Sequence, residues 1–178
     1  MLGMHGESLQ PLIRHLRWRF ALKVYVIYDS KYGNTKLVAN NICDGLKQAG
    51  LTDVAVGYVK DVGTQKIAGY DALVIGAPNH MGKPSWTMRK FVDSVAATNL
   101  DAKWFAVFDT YFQRERYFQK AMKKLQRQVN QQLPSLEVLT SGLSVRVKGV
   151  NGPVVEGELA KAVEFGESIG NKLKNQEK

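Results

Sequence analysis

The sequence predicts an α/β fold, a doubly wound five-stranded parallel sheet with helices on both faces. Three features predict it. Short runs rich in β-branched residues alternate with amphipathic helical stretches, the first run stops at a polar, glycine-bearing loop, and the runs are largely apolar throughout, as strands covered on both faces must be. A chain of 178 residues, 44% of them apolar, supplies one proper core, and two domains would be cramped.

The elements follow in order. Leu22-Lys23-Val24-Tyr25-Val26-Ile27-Tyr28 reads as a buried strand. Val38, Ile42 and Leu46 then recur at four-residue spacing with Ala39 and Cys43 alongside, a helix with one apolar face that ends near Gly50. Asp53 to Val59 is a second strand, Asp61 to Ala68 a short helix, and Asp71 to Ala77 a third strand. Ser85 to Val95 is a helix expected to turn Trp86, Phe91, Val92 and Val95 inward, and Trp104 to Phe108 is the fourth strand. Phe118, Ala121, Met122, Leu125 and Val129 mark a helix face that stops before Pro134. Glu137 to Val147 holds the fifth strand, broken around Ser141-Gly142, and Glu156 to Leu173 the last helix, with Leu159, Ala162, Val163, Ile169 and Leu173 on one side. The chain thus divides into a basic extension (1–21), one α/β domain (22–174) and a polar tail (175–178).

Composition excludes several classes. No apolar run is long enough to span a bilayer, so a soluble protein is expected. The extension contains Arg14, Arg17 and Arg19 but no long apolar core or small-residue cleavage pattern, which argues against a secretory signal. It is read as a tail or a short docked helix, with a membrane- or partner-touching segment as the alternative. The single cysteine, Cys43, excludes an internal disulfide and a thiolate metal cage and fits a reducing, cytoplasmic setting; no metal site is expected.

In a sheet of this kind a ligand sits beyond the carboxyl ends of the strands, so the loops after the strands carry the functional information. The first is Asp29-Ser30-Lys31-Tyr32-Gly33-Asn34-Thr35, between a strand and a helix. Ser30 and Thr35 offer hydroxyls, Gly33 permits a close turn, and the helix start offers free N–H groups; together they make a phosphate nest that does not require Lys31. The spacing matches neither G-x-x-x-x-G-K-[ST] nor G-x-G-x-x-G. An ordinary turn, with Asn34 or Thr35 as helix cap, is the plainer alternative.

Ser30-x-Tyr32-Gly33-x-Thr35 resembles the phosphate signature of the flavodoxin family, which implies a short flavodoxin-like fold, an FMN cofactor, and FMN phosphate held by Ser30 through Thr35. Gly76-Ala77-Pro78-Asn79-His80-Met81-Gly82 is similar to the family's G-[ST]-P-x-x-x-G loop, with Ala77 in place of the hydroxyl residue, and by position implies that Pro78, Asn79, His80, Met81 and Gly82 border the flavin ring. His80 is given no proton-transfer role, and no catalytic residue is assigned. Asp109-Thr110-Tyr111-Phe112-Gln113 falls where the family places a second ring-facing loop; Tyr111 or Phe112 stacks on the ring or packs on the next helix. The family often has glycine here and this chain has none. Val147 to Pro153, followed by a Glu-rich helix start, resembles the family's last strand and helix. The resemblance covers Lys23 to about Leu173.

The function it implies is electron transfer on FMN. An FMN-dependent quinone reductase, suggested by Met88-Arg89, or a protoporphyrinogen oxidase-like enzyme is the alternative, and an interaction domain without flavin ranks behind them. A receiver domain is disfavoured because Ala77-Pro78 stands where it needs an aspartate. The formal charge is +9, whereas flavodoxins are typically acidic. Arg116, Lys120, Lys123 and Arg127 fall at helical spacing opposite an apolar face, a basic side suited to an acidic redox partner protein. A solvated face is the plainer reading, and nucleic acid ranks behind because no motif for it accompanies the charge.

Overall fold

The computed structural model describes residues 22–112 and 117–176. The basic extension, Gln113 and Arg116 lie outside the described residues. Five parallel rows of backbone make the sheet: β1 (Lys23–Tyr28), β2 (Asp53–Tyr58), β3 (Ala72–His80), β5 (Trp104–Phe112), and a last row shared by β6 (Glu137–Val138) and β7 (Leu143–Val147). Their order is β2-β1-β3-β5, with β6 and β7 both on the far side of β5. A two-residue strand, β4 (Lys83–Pro84), pairs antiparallel with the end of β3. The helices are α1 (Asn34–Gln48), α2 (Thr64–Ile67), α3 (Trp86–Val95), α4 (Lys120–Gln132) and α5 (Glu158–Gln176).

Apolar residues of each central strand go alternately to two cores. Val24, Val26, Tyr28, Val74 and Phe108 pack beneath α1 and α5, against Ile42, Leu46, Ile169 and Leu173. Tyr25, Ile27, Ile75, Phe105 and Val107 pack on the other face, against Met88, Val92, Leu125 and Val129. Each such side chain contributes roughly 1.5–3 kcal/mol on leaving water, so both faces must be covered and the parallel arrangement follows. The break expected in the fifth strand lies between β6 and β7. There Gly142 has φ +84°, and a Cβ on it would stand 2.5 Å from Met122 Sδ.

Several expectations need correction. Trp86 points out, 65% exposed, and Met88 takes the inward place instead. Ser85 caps α3 by accepting the Met88 N–H at 3.3 Å, which sets the phase; Met88, Phe91, Val92 and Val95 share one face at 3–4 residue spacing, and Trp86 falls far round the helix from it. Phe118 precedes α4, whose N-cap is Gln119 at φ +57°, and remains exposed. The helix expected over Asp61 to Ala68 shortens to the four residues of α2. The last helix begins at Glu158 and runs on through Gln176, with Phe165, Gly166 and Gly170 on its buried side. β3 and β5 each run beyond the apolar stretch that announced them, and this reshapes the functional end of the sheet.

Candidate functional site

The carboxyl ends of β1, β3, β5 and β7 surround a cavity of about 440 Å³, within the range usual for small-molecule sites. Ser30, Lys31, Tyr32, Asn34 and Thr35 line it from the β1–α1 turn; Pro78, Asn79, His80 and Met81 from the end of β3 and its turn; Thr110 and Phe112 from β5. Tyr117, Val147 and Val150 complete the wall. Among the described lining residues there is no carboxylate, so nothing there repels an anion.

One end of the cavity is built for an anion. Gly33 sits at the N-cap of α1 with φ +85°, a conformation that favours glycine, although a Cβ there would meet nothing within 4 Å. No side chain caps the helix, so Asn34 and Thr35 do not make the turn in the way the plainer reading supposed. The first helical bond runs from Leu37 N–H to Gly33 O at 2.9 Å, and the amides before it have no acceptor inside the helix. Ser30 Oγ is buried without a hydrogen-bond partner. Thr35, also buried, has its Oγ1 2.8 Å from Thr110 Oγ1, which joins the turn to β5. Lys31 Nζ lies 5.1 Å from the Tyr32 ring centroid at the cavity's edge. Free amides, an orphan hydroxyl and no carboxylate suit a phosphate group.

The opposite wall is a hairpin, where the sequence suggested a plain loop. β3 continues through Pro78, Asn79 and His80; Asn79 pairs with Pro84 and His80 with Lys83. Met81 (φ +53°) and Gly82 (φ +84°) make the two-residue turn, the left-handed pair that such hairpins need. The Asn79 side chain accepts the Gly82 N–H at 2.7 Å, donates to the Tyr117 carbonyl at 2.7 Å, and reaches Asp109 Oδ2 at 3.4 Å. Asn79 therefore lines the cavity while its amide braces the wall. Gly33 and Gly82 shape the backbone and do not themselves line the space.

The supposed third loop is the end of β5, and pleating sorts its residues. Thr110 and Phe112 face the cavity. Tyr111 does not; its ring meets Phe118 edge-on at 5.5 Å. Asp109 is fully buried behind the wall, where Oδ2 accepts the Met122 N–H at 3.0 Å. Burial pushes its carboxyl up to about 6; Ser144, the Met122 amide and Asn79 pull in the other direction without cancelling it. Ser144 stands opposite Asp109 in the β5–β7 register, yet its Oγ and Asp109 Oδ1 both lack a full hydrogen bond.

Tyr117, Val147 and Val150 carried no site signal in the sequence. The two valines arrive because the chain folds back after β7: Val147 bridges to Val154, and Lys148 N–H donates to Pro153 O at 2.8 Å. This turn closes on the β1–α1 turn, since a Cβ on Gly152 would stand 2.3 Å from Asn34 Oδ1. Lys120, Lys123 and Arg127 project outward from α4 as its periodicity required.

Known proteins share this fold. The family model described as flavodoxin matches residues 26–149. A flavodoxin of Aquifex aeolicus is 37% identical over 73 residues, covering 41% of this chain and 40% of its own length. One of Clostridium saccharobutylicum is 30% identical over 89 residues, covering 50% of this chain and 56% of its own. The chain thus spans about half the length of the curated relatives it matches. A solved archaeal flavodoxin superposes with a TM-score of 0.72 at 25% identity, over 86% of this chain and 99% of that one.

Proposed function

Because the chain belongs to the flavodoxin family, whose members bind FMN, we propose that it holds FMN in this cavity and serves as an electron carrier. The observation that carries the reading is the buried, partnerless Ser30 hydroxyl beside the open amides of the β1–α1 turn. Buried polar atoms are rarely left unpaired, and a phosphate oxygen is the acceptor this one lacks. Ser30 through Thr35 hold the phosphate, with Gly33 providing the turn. Pro78, His80, Met81, Thr110, Phe112 and Tyr117 provide the wall for the ring.

FMN, when bound, supplies a ring that takes up and releases electrons. The protein's own part is to orient it, shield it and set the polarity around it. Met81, 81% exposed, and the exposed Tyr32 and Val150 stand at the mouth, leaving the site accessible from one side. No side chain is required to transfer a proton, so the assignment contains no catalytic residue.

The partner is an acidic protein surface. Described exposed charges at the site end of the sheet are mainly cationic, with Lys31, Lys36, Lys60, Lys83, Lys120 and Lys148 against Asp61 and Glu156. This local excess of positive charge favours approach of an anionic partner to the cavity mouth.

The visible spectrum of purified protein tests the cofactor. Flavin bands, with FMN released on denaturation, are expected; protein that stays colourless after excess FMN would rule the reading out. Steady-state NAD(P)H oxidation with a quinone separates an enzyme from a carrier, and the carrier shows no turnover. Electron transfer to an acidic partner slows as salt is added, and indifference to salt would remove the electrostatic part.

A further inference from the structure

We infer that Asp109 is a positioning residue for the cavity, tying the β3–β4 hairpin to the start of α4 and holding the wall in register. The inference rests on the reading that FMN fills the cavity, but the tie itself belongs to the protein alone. Asp109 Oδ2 accepts from Met122 N–H on α4 and is reached by Asn79 Nδ2 from β3. The same Asn79 amide holds the Tyr117 carbonyl, and its oxygen holds the Gly82 N–H of the turn. The neighbouring Thr110 bonds Thr35 in the phosphate-side turn. One buried carboxylate thus joins two parts of the wall, the end of β3 and the start of α4.

Among the described residues no cation balances it. Arg146 on β7, His80 on β3, Lys83 on β4, and Lys120 and Lys123 on α4 are all exposed. Burial raises the phenol of Tyr111, on the same strand, with Glu158 and then Asp109 adding to it against Arg146 and Lys161. A buried carboxylate held only by neutral donors is expensive. Ionised, it accepts from both Asn79 and Met122; protonated, it is the weaker acceptor, and the hairpin loosens. Burial holds this carboxyl so that it protonates near pH 6.

Amide NMR of the apoprotein between pH 4.5 and 8, paired with FMN affinity by fluorescence quenching, tests the tie (both limits on the order of two units around the carboxyl's midpoint). Gly82 and Met122 amides should titrate together with a midpoint near that of Asp109, and FMN should bind more tightly above it. D109N should abolish the common midpoint and weaken FMN at the alkaline end by about tenfold. N79A is the second variant: Met122 still titrates, Gly82 no longer follows, and FMN weakens to a similar extent. Amides that do not move together in the wild type, or FMN binding whose pH profile survives D109N, would overturn the inference. Linked titration with no FMN binding at any pH would uphold the tie and instead refute FMN as the occupant.

Discussion

Thr35 Oγ1 and Thr110 Oγ1 lie 2.8 Å apart in a buried contact between residues 75 positions apart in the chain. The pair couples the start of α1 to the end of β5 beside the cavity. Replacing Thr110 with Val keeps the shape and leaves the Thr35 hydroxyl without its partner, which costs about 1–3 kcal/mol. Urea denaturation should show that loss for T110V. The T35V/T110V double variant should lose less than the sum of the single losses, because no orphan remains. Strict additivity would mean that the hydroxyl contact contributes nothing.

Ser30 makes the opposite prediction. Its hydroxyl is buried without a partner, so S30A should leave the apoprotein's stability within about 0.5 kcal/mol of wild type. Binding of FMN should weaken by about tenfold, as expected when a charged acceptor loses a donor. Riboflavin, which lacks the phosphate, should bind S30A and wild type alike. Equal losses for both ligands would remove Ser30 from the phosphate end.

α1 and α5 approach each other through glycine. A Cβ on Gly45 would lie 2.0 Å from Val163 O, and one on Gly166 would lie 2.1 Å from Ile42 O. Alanine is favoured over glycine in a helix by about 1 kcal/mol, yet G45A or G166A forces backbone apart. Each should destabilise the fold by about 2 kcal/mol or more. Thermal unfolding that shows either variant as stable as wild type would mean that the helices can separate freely.

Stability should also depend on Asp109. Its folded carboxyl is raised from 3.8 to about 6, so the folded state binds the proton more tightly than the unfolded chain. The sign follows: stability from this group is greatest below about pH 4 and declines as pH rises to about 6, a change of about 3 kcal/mol. D109N should remove that decline, and chemical denaturation at pH 4.5 and 7 would measure it. An unchanged pH slope in D109N would assign the effect to other groups.

Much of this was legible in residue pattern. Val38, Ile42 and Leu46 announced α1 and lie fully buried, because helical periodicity survives any choice of neighbour. The Ser30–Thr35 run was legible as a strand-to-helix turn, since a strand, a glycine turn and a helix start are local chemistry, and all of it but Gly33 lines the cavity. Trp86 was misread because an aromatic beside a helix start looks like core until the cap fixes the phase. Asp109 was read as a loop residue because the apolar run ends at Phe108; the strand continues, and the Met122 amide and Asn79 side chain hold the buried carboxylate. Val150 was invisible, since what brings it to the cavity is a backbone turn with no apolar period.

By itself the sequence determined the alternation of strands and helices, the two-sided burial of the sheet and the glycine turn between β1 and α1, all of which arise from contacts close along the chain or from apolar periodicity. Only the tertiary structure decided how far β3 and β5 extend, which face of β5 meets the cavity, and that Asn79 braces a hairpin. Those outcomes depend on partners tens of residues away: Asp109 on Met122 and Asn79, Thr110 on Thr35, and Gly152 on Asn34. A buried polar group is stable only where its partner arrives, and that arrival is a property of the assembled fold.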